Sequence, residues 1–118
     1  MSIDQTHPLG FGYAGDTLAL FRKNTLFMKP AKSAYETPAV YTAQPLLSGY
    51  ISPENLAKLA GSPAVLALPS GRGVVVALTD EPNFRGGWWG GNRLFFNAVF
   101  YGRAIHAIRA GDDGDEAN

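Results

Sequence analysis

Cysteine is absent from the 118 residues. That single absence removes disulfide staples, thiolate catalysis and cysteine-held metals together. Charge is scarce as well: charged residues make up 17% of the chain, and 10 Lys and Arg balance 10 Asp and Glu. With a formal net charge of zero there is no basic excess to hold nucleic acid or an anionic membrane. No apolar run approaches the roughly 18–20 residues of a membrane span. The opening "MSIDQTHPLG" is polar and does not read as a signal peptide, so the compartment stays open. Histidine is limited to His7 and His106.

What the chain does have is apolar bulk. Hydrophobic residues reach 46%, the composition of a globular fold, and the length fits one domain. Residues 1–110 read as that domain. Residues 111–118, acidic and without large side chains, read as a solvated tail.

Along the domain, "HPLGFGYAG" reads as an ordered loop. "TLALFRKNTLFMK" holds two strand-like runs with a turn at Lys23-Asn24, and "TPAVYTAQ" has the β-branched and aromatic content of a third strand. Ser52, Pro53 and Glu54 form a helix start, with Leu56 and Leu59 on one face and Gly61 as the stop. "PAVLALPSGRGVVVALTD" reads as a hairpin turning through Pro69–Gly73. Because "VVVAL" is apolar at every position, its strand is expected to be central and covered on both faces. A last helix is expected from an Asn92 cap, running from Arg93 to about Ile108. Leu94, Ala98, Tyr101, Ile105 and Ile108 share one stripe; Phe96 and Phe100 project elsewhere. Such a helix either lies deep in the core or presents a second face to a partner. These elements make an α/β or α+β fold: a mixed sheet of four to six strands, a short helix and a long C-terminal helix.

"SGYISPENLAKLAG", "GRGVVVALTDEPNFRGGWWGGNRLFFNAVFYG" and "HPLGFGY" together resemble the C-terminal region of bacterial zinc-carboxypeptidase family proteins. The resemblance spans most of residues 6–104, and "DEPNFRGGWWGGNRLFFNA" is its most specific run. In that family a class I glutamine-amidotransferase-like domain follows the peptidase domain. The resemblance therefore implies that this chain corresponds to the C-terminal half of such a domain, whose remainder lies upstream of residue 1. It also implies an association with a neighbouring peptidase domain, and the family leans towards periplasmic or secreted proteins. The family's zinc ligands belong to the upstream catalytic domain. Here His7 has no acidic residue at the His-x-x-Glu spacing, so no metal and no cofactor is expected. A cysteine triad is excluded by composition.

The remaining chemistry is thin. Ser48, Ser52, Ser62 and Ser70 occupy turn or cap contexts without a nucleophile elbow. Asp80-Glu81 are adjacent, so in extended chain they point to opposite sides; with Arg85 and Arg93 they read as an ion-pair cluster rather than a catalytic dyad. No catalytic residue is assigned. "FRGGWWGGNR" is the one unusual stretch. Its glycines allow tight turns and close approach, and its tryptophans carry large apolar area with an N–H to satisfy. Three uses stay open: packing within the domain, an interface with a partner domain or subunit, or recognition of a small ligand. The expected function is a non-catalytic accessory or interaction domain that pairs with itself through Trp88, Trp89, Phe96 and Phe100. The alternative is a peptide- or carbohydrate-binding module using the tryptophan loop with Asn83, Arg85 and Asn92.

Overall fold

The computed structural model describes residues 1–112. One antiparallel sheet holds four strands in the order β1 (Ser2–Ile3), β2 (Ala39–Val40), β3 (Pro63–Ser70) and β4 (Gly73–Leu78). The helices are α1 (Pro53–Leu59) and α2 (Trp89–Asp112), joined by short 3-10 turns at Pro8–Gly10, Ala34–Glu36 and Phe84–Gly86. The arrangement is α+β, and the expected mixed sheet is antiparallel throughout.

The punctuation of α1 works as its sequence indicates. The Ser52 hydroxyl accepts from the Asn55 N–H at 3.3 Å, Pro53 opens the helix, and Gly61 follows its end at φ +73°. In the hairpin, Ser70 pairs with Gly73, leaving a two-residue turn of Gly71-Arg72. Gly71 has φ +57°. A positive φ at the first central position alone is the pattern of a type II′ turn, which matches the twist of the strands it joins.

Three strand expectations need correction. "TLALFRKNTLFMK" forms no strand; its ladder pairing is limited to single bridges, Thr17 to Ser2 and Phe21 to Glu81. Its turn is made by the Asn24 side chain, whose Oδ1 accepts from the Leu26 N–H and whose Nδ2 donates to the Thr79 carbonyl. The third expected strand shrinks to Ala39–Val40. And "VVVAL" lies in an edge strand, not a central one. Alternation along β4 explains the difference. Val74, Val76 and Leu78 pack against the core, while Val75 points the other way and is exposed. The buried central strand is β3, apolar from Pro63 to Leu68 and sealed along most of that length.

Helix α2 begins at Trp89, so Asn92 sits inside its first turn and does not cap it; the Asn92 N–H donates to the Trp88 carbonyl at 2.9 Å. The helix continues past Ile108 to Asp112. Residues 113–118, most of the expected tail, lie outside the described residues. Of the expected stripe, Leu94 and Ile105 are buried and Ala98 packs against the core, whereas Tyr101 stays exposed.

What seats α2 is a polar contact within this apolar stripe. Asn97 is buried, and its Nδ2 donates to the carbonyls of Leu9 and Phe11, both at 2.9 Å. Arg93 Nη1 donates to the Gly12 carbonyl at 2.6 Å, and the Tyr13 hydroxyl donates to the Gly90 carbonyl. The Pro8–Gly10 turn and the loop after it are thereby stitched to two turns of helix. Replacing Asn97 with Leu leaves two carbonyls without their donor, one of them buried. The expected cost is about 1–3 kcal/mol. Thermal unfolding followed by circular dichroism should show a midpoint lowered by roughly 5–15 °C, and Asn97→Asp should fare no better.

Candidate functional site

The tryptophan loop is built from both of its glycine pairs, but each pair does a different job. Gly86, at φ +64°, turns the chain out of a 3-10 turn in which Arg85 itself is left-handed at φ 53°. Gly90 and Gly91 already belong to α2 and are needed for close approach. A Cβ on Gly91 would sit 2.3 Å from the Pro82 carbonyl oxygen and 2.6 Å from Leu20, and one on Gly90 would sit 2.9 Å from Leu18. Each glycine lowers helix propensity by about 1 kcal/mol relative to alanine, so tertiary contact, not propensity, carries α2 back to Trp89.

The two indoles part company at this junction. Trp88 is 37% exposed and borders an open cavity; Trp89 is 82% exposed and stands on the outside of α2. Phe96, at 53%, and Phe100, at 73%, follow on the same side of the helix, with their rings stacked 6.3 Å apart. Seven and then four residues separate Trp89, Phe96 and Phe100, the spacing of a single helical stripe. Phe95 and Val99 stand exposed beside it, and Phe95 meets Phe96 edge-on at 5.9 Å. The polar residues expected to assist are not gathered there. Asn83 caps the 3-10 turn without a side-chain bond, Asn92 Nδ2 donates to the Gly86 carbonyl, and Arg85 lies over the Phe84 ring.

The expected ion-pair cluster is rearranged. Asp80 pairs with Arg22 at 3.0 Å and Glu81 with Lys23 at 2.7 Å. Arg93 is engaged with Gly12 and Arg85 with Phe84, so neither meets the carboxylates. The reason is the Phe21–Glu81 bridge, which lays the next two residues of the coil along Asp80-Glu81. Phe21 also stacks on Phe84 at 3.8 Å. Arg22 is a hub. It donates through Nη1 to Asp80 and to the Tyr41 hydroxyl, and through Nη2 to the Leu26 carbonyl. The Thr79 hydroxyl donates to the Ala64 carbonyl, so the Tyr41 hydroxyl, 2.7 Å away, must donate to Thr79. Burial, reinforced by Asp80, pushes the Tyr41 phenol far above its ordinary value. These groups are held by one another, and their geometry is that of a structural network. Sequence reasoning missed Arg22 because its partner lies 58 residues away.

His7 is also structural. It is buried, with Nδ1 accepting from the Leu9 N–H at 3.1 Å and its ring against Tyr35 at 4.6 Å. With Nδ1 an acceptor, the neutral ring carries its proton on Nε2. Burial lowers its pKa, opposed by Asp4. The His106 side chain lies outside the described residues. Among the described residues no group of three or more His, Cys, Asp or Glu side chains could hold a metal ion, and no helix is long and apolar enough to cross a membrane.

No protein-family model, curated protein or solved structure matches the chain.

Two predictions follow from the charges. Arg22→Leu strands a buried carboxylate and should cost about 3–5 kcal/mol, while Lys23→Leu removes a pair that is partly open to solvent and should cost less, about 1 kcal/mol; urea unfolding of the two variants makes the comparison. His7, whose folded pKa lies below its unfolded value of about 6.5, is protonated more readily when unfolded. Its contribution is therefore intact above that unfolded pKa and is lost as pH falls below it. His7→Asn keeps a cap acceptor without the titration, so its unfolding free energy should fall less steeply than the parent's between pH 7 and pH 5.

Proposed function

We propose that this chain is a non-catalytic interaction domain and that the outer face of α2 meets a second copy of itself. The observation that carries this is the stripe of Trp89, Phe96 and Phe100, flanked by Phe95 and Val99, all solvent-exposed. Exposed aromatic surface of this continuity marks an interface more often than idle surface. A twofold axis across the Phe96–Phe100 stack would set like rings against like, the self-complementary contact of a symmetric dimer. Of the two arginines on this side of α2, Arg93 is turned away to the Gly12 carbonyl, while Arg103, seven residues after Phe96, stands exposed at the end of the stripe.

The non-catalytic reading rests on the chain's own chemistry. There is no cysteine, and Asp80 and Glu81 are held by Arg22 and Lys23. The resemblance noted above supplies the setting: an accessory domain of a zinc-carboxypeptidase-like protein, corresponding to the end of an amidotransferase-like fold. In that setting the same face could be covered by a neighbouring peptidase domain.

Light scattering across a dilution series tests the proposal. A dimer is expected, and the double variant Phe96→Glu, Phe100→Glu should be a monomer whose thermal midpoint, extrapolated to low concentration, matches the parent's. A parent that stays monomeric at every concentration overturns it. The reading would then pass to the exposed Trp89 as a stacking platform for a peptide or sugar.

A further inference from the structure

The hydrophobic core is not closed at one end. Met1, Leu18, Tyr41 and Leu59 belong to the buried core, yet all four also border a cavity of about 810 Å³. Its other walls come from the coil after β1, the loop before α1 and the residue preceding α2, represented by Leu20, Phe27, Ile51 and Trp88. The volume lies in the range of small-molecule sites, which are mainly apolar with a few fixed polar groups.

The polar groups define what could enter. Arg22 and Asp80 meet at the cavity, so its one deeply placed cation is already neutralised. Lys23, at the edge, is paired with Glu81. The Met1 backbone nitrogen donates to the Leu18 carbonyl at 2.8 Å. An anionic head would meet the Asp80 carboxylate and a cationic one the Arg22 guanidinium, each desolvated with little gain. A neutral head is different. The guanidinium has N–H groups beyond those used on Asp80, Tyr41 and Leu26, and Asn55 and Ser48 add amide and hydroxyl groups. The rim gives a second, independent observation. Leu46, Leu47 and Tyr50 stand exposed on the loop before α1, and all three line the cavity. An apolar occupant would cover apolar surface that otherwise faces water.

We propose that this cavity is a binding site for an uncharged small molecule with an apolar body and a neutral hydrogen-bonding head, such as an amide or alcohol. The body fills the open end of the core, and the head lies beside the Arg22–Asp80 pair. The proposal is independent of self-association, since the cavity and the Trp89–Phe100 stripe use different side chains.

N-phenyl-1-naphthylamine, a neutral fluorescent probe, tests it with the whole chain. Saturable one-to-one enhancement is expected, with transfer to the probe from the indole that remains in the Trp89→Phe variant. Decanamide should displace the probe at least tenfold more effectively than decanoate or decyltrimethylammonium. Ser48→Trp, which fills the mouth, and Leu46→Asp, which makes the rim polar, should each weaken binding at least tenfold while leaving the circular dichroism spectrum and thermal midpoint in place. Phe96→Glu with Phe100→Glu should leave binding unchanged. Absence of saturation, equal displacement by the charged competitors, or binding lost in the Phe96→Glu, Phe100→Glu protein and retained in both cavity variants would overturn the proposal.

Discussion

One side-chain amide fixes the relation between the two halves of this fold. Asn97 reaches from the inward side of α2 to two carbonyls of the N-terminal loop. One of those carbonyls belongs to the Pro8–Gly10 turn and the other follows it, and a buried carbonyl without a partner is costly. Once Asn97 is seated, Leu94 and Ile105 join the core and Arg93 and Tyr13 complete the seam. The same rotation that turns Asn97 inward turns Phe96 and Phe100 outward. The exposed aromatic face is therefore a geometric result of satisfying the loop, and not of a helix lacking somewhere to pack.

A second constraint acts at the other end of the sheet. Arg22 ties the coil to Asp80 and to Tyr41 and also braces the coil's own Leu26 carbonyl. A coil without a strand ladder needs such substitutes for its polar groups. Because the tether is a long side chain reaching across a gap, it holds the coil near the sheet without pressing it closed. The cavity occupies that gap.

Elements with local punctuation were legible in the sequence. Ser52, Pro53, Glu54 and Gly61 announce α1, and the glycines at 71 and 73 announce the hairpin. What was not legible depended on partners distant in the chain. The apolar residues of "TLALFRKNTLFMK" have strand composition, but composition does not say whether an edge is free to receive them. "VVVAL" looks like a central strand because apolar runs usually are; its neighbour on the far side is simply missing from the sheet. At the candidate site, the exposure of a tryptophan and of Phe96 and Phe100 could be anticipated from helical spacing and adjacency. The separation of Trp88 from Trp89 and the true partners of Asp80 could not. One signal was available and unused: Asn97 is a polar residue between Leu94 and Ala98 on the expected buried stripe, where only a paired amide could stand.

The seam held by Asn97 also orders events in time. Leu9 and Asn97 are 88 residues apart, so the contact closes a loop comprising most of the chain. Loop closure of that length must precede its reward, which slows folding relative to locally wired domains. During synthesis the N-terminal loop, with His7 and Leu9, emerges long before the helix that covers it. Until α2 arrives, the hairpin is the one extended element able to form from neighbouring residues, and the rest of the core waits exposed. A chain wired in this way depends on its last helix as a latch, and truncations or stalls just short of it leave the most aggregation-prone species.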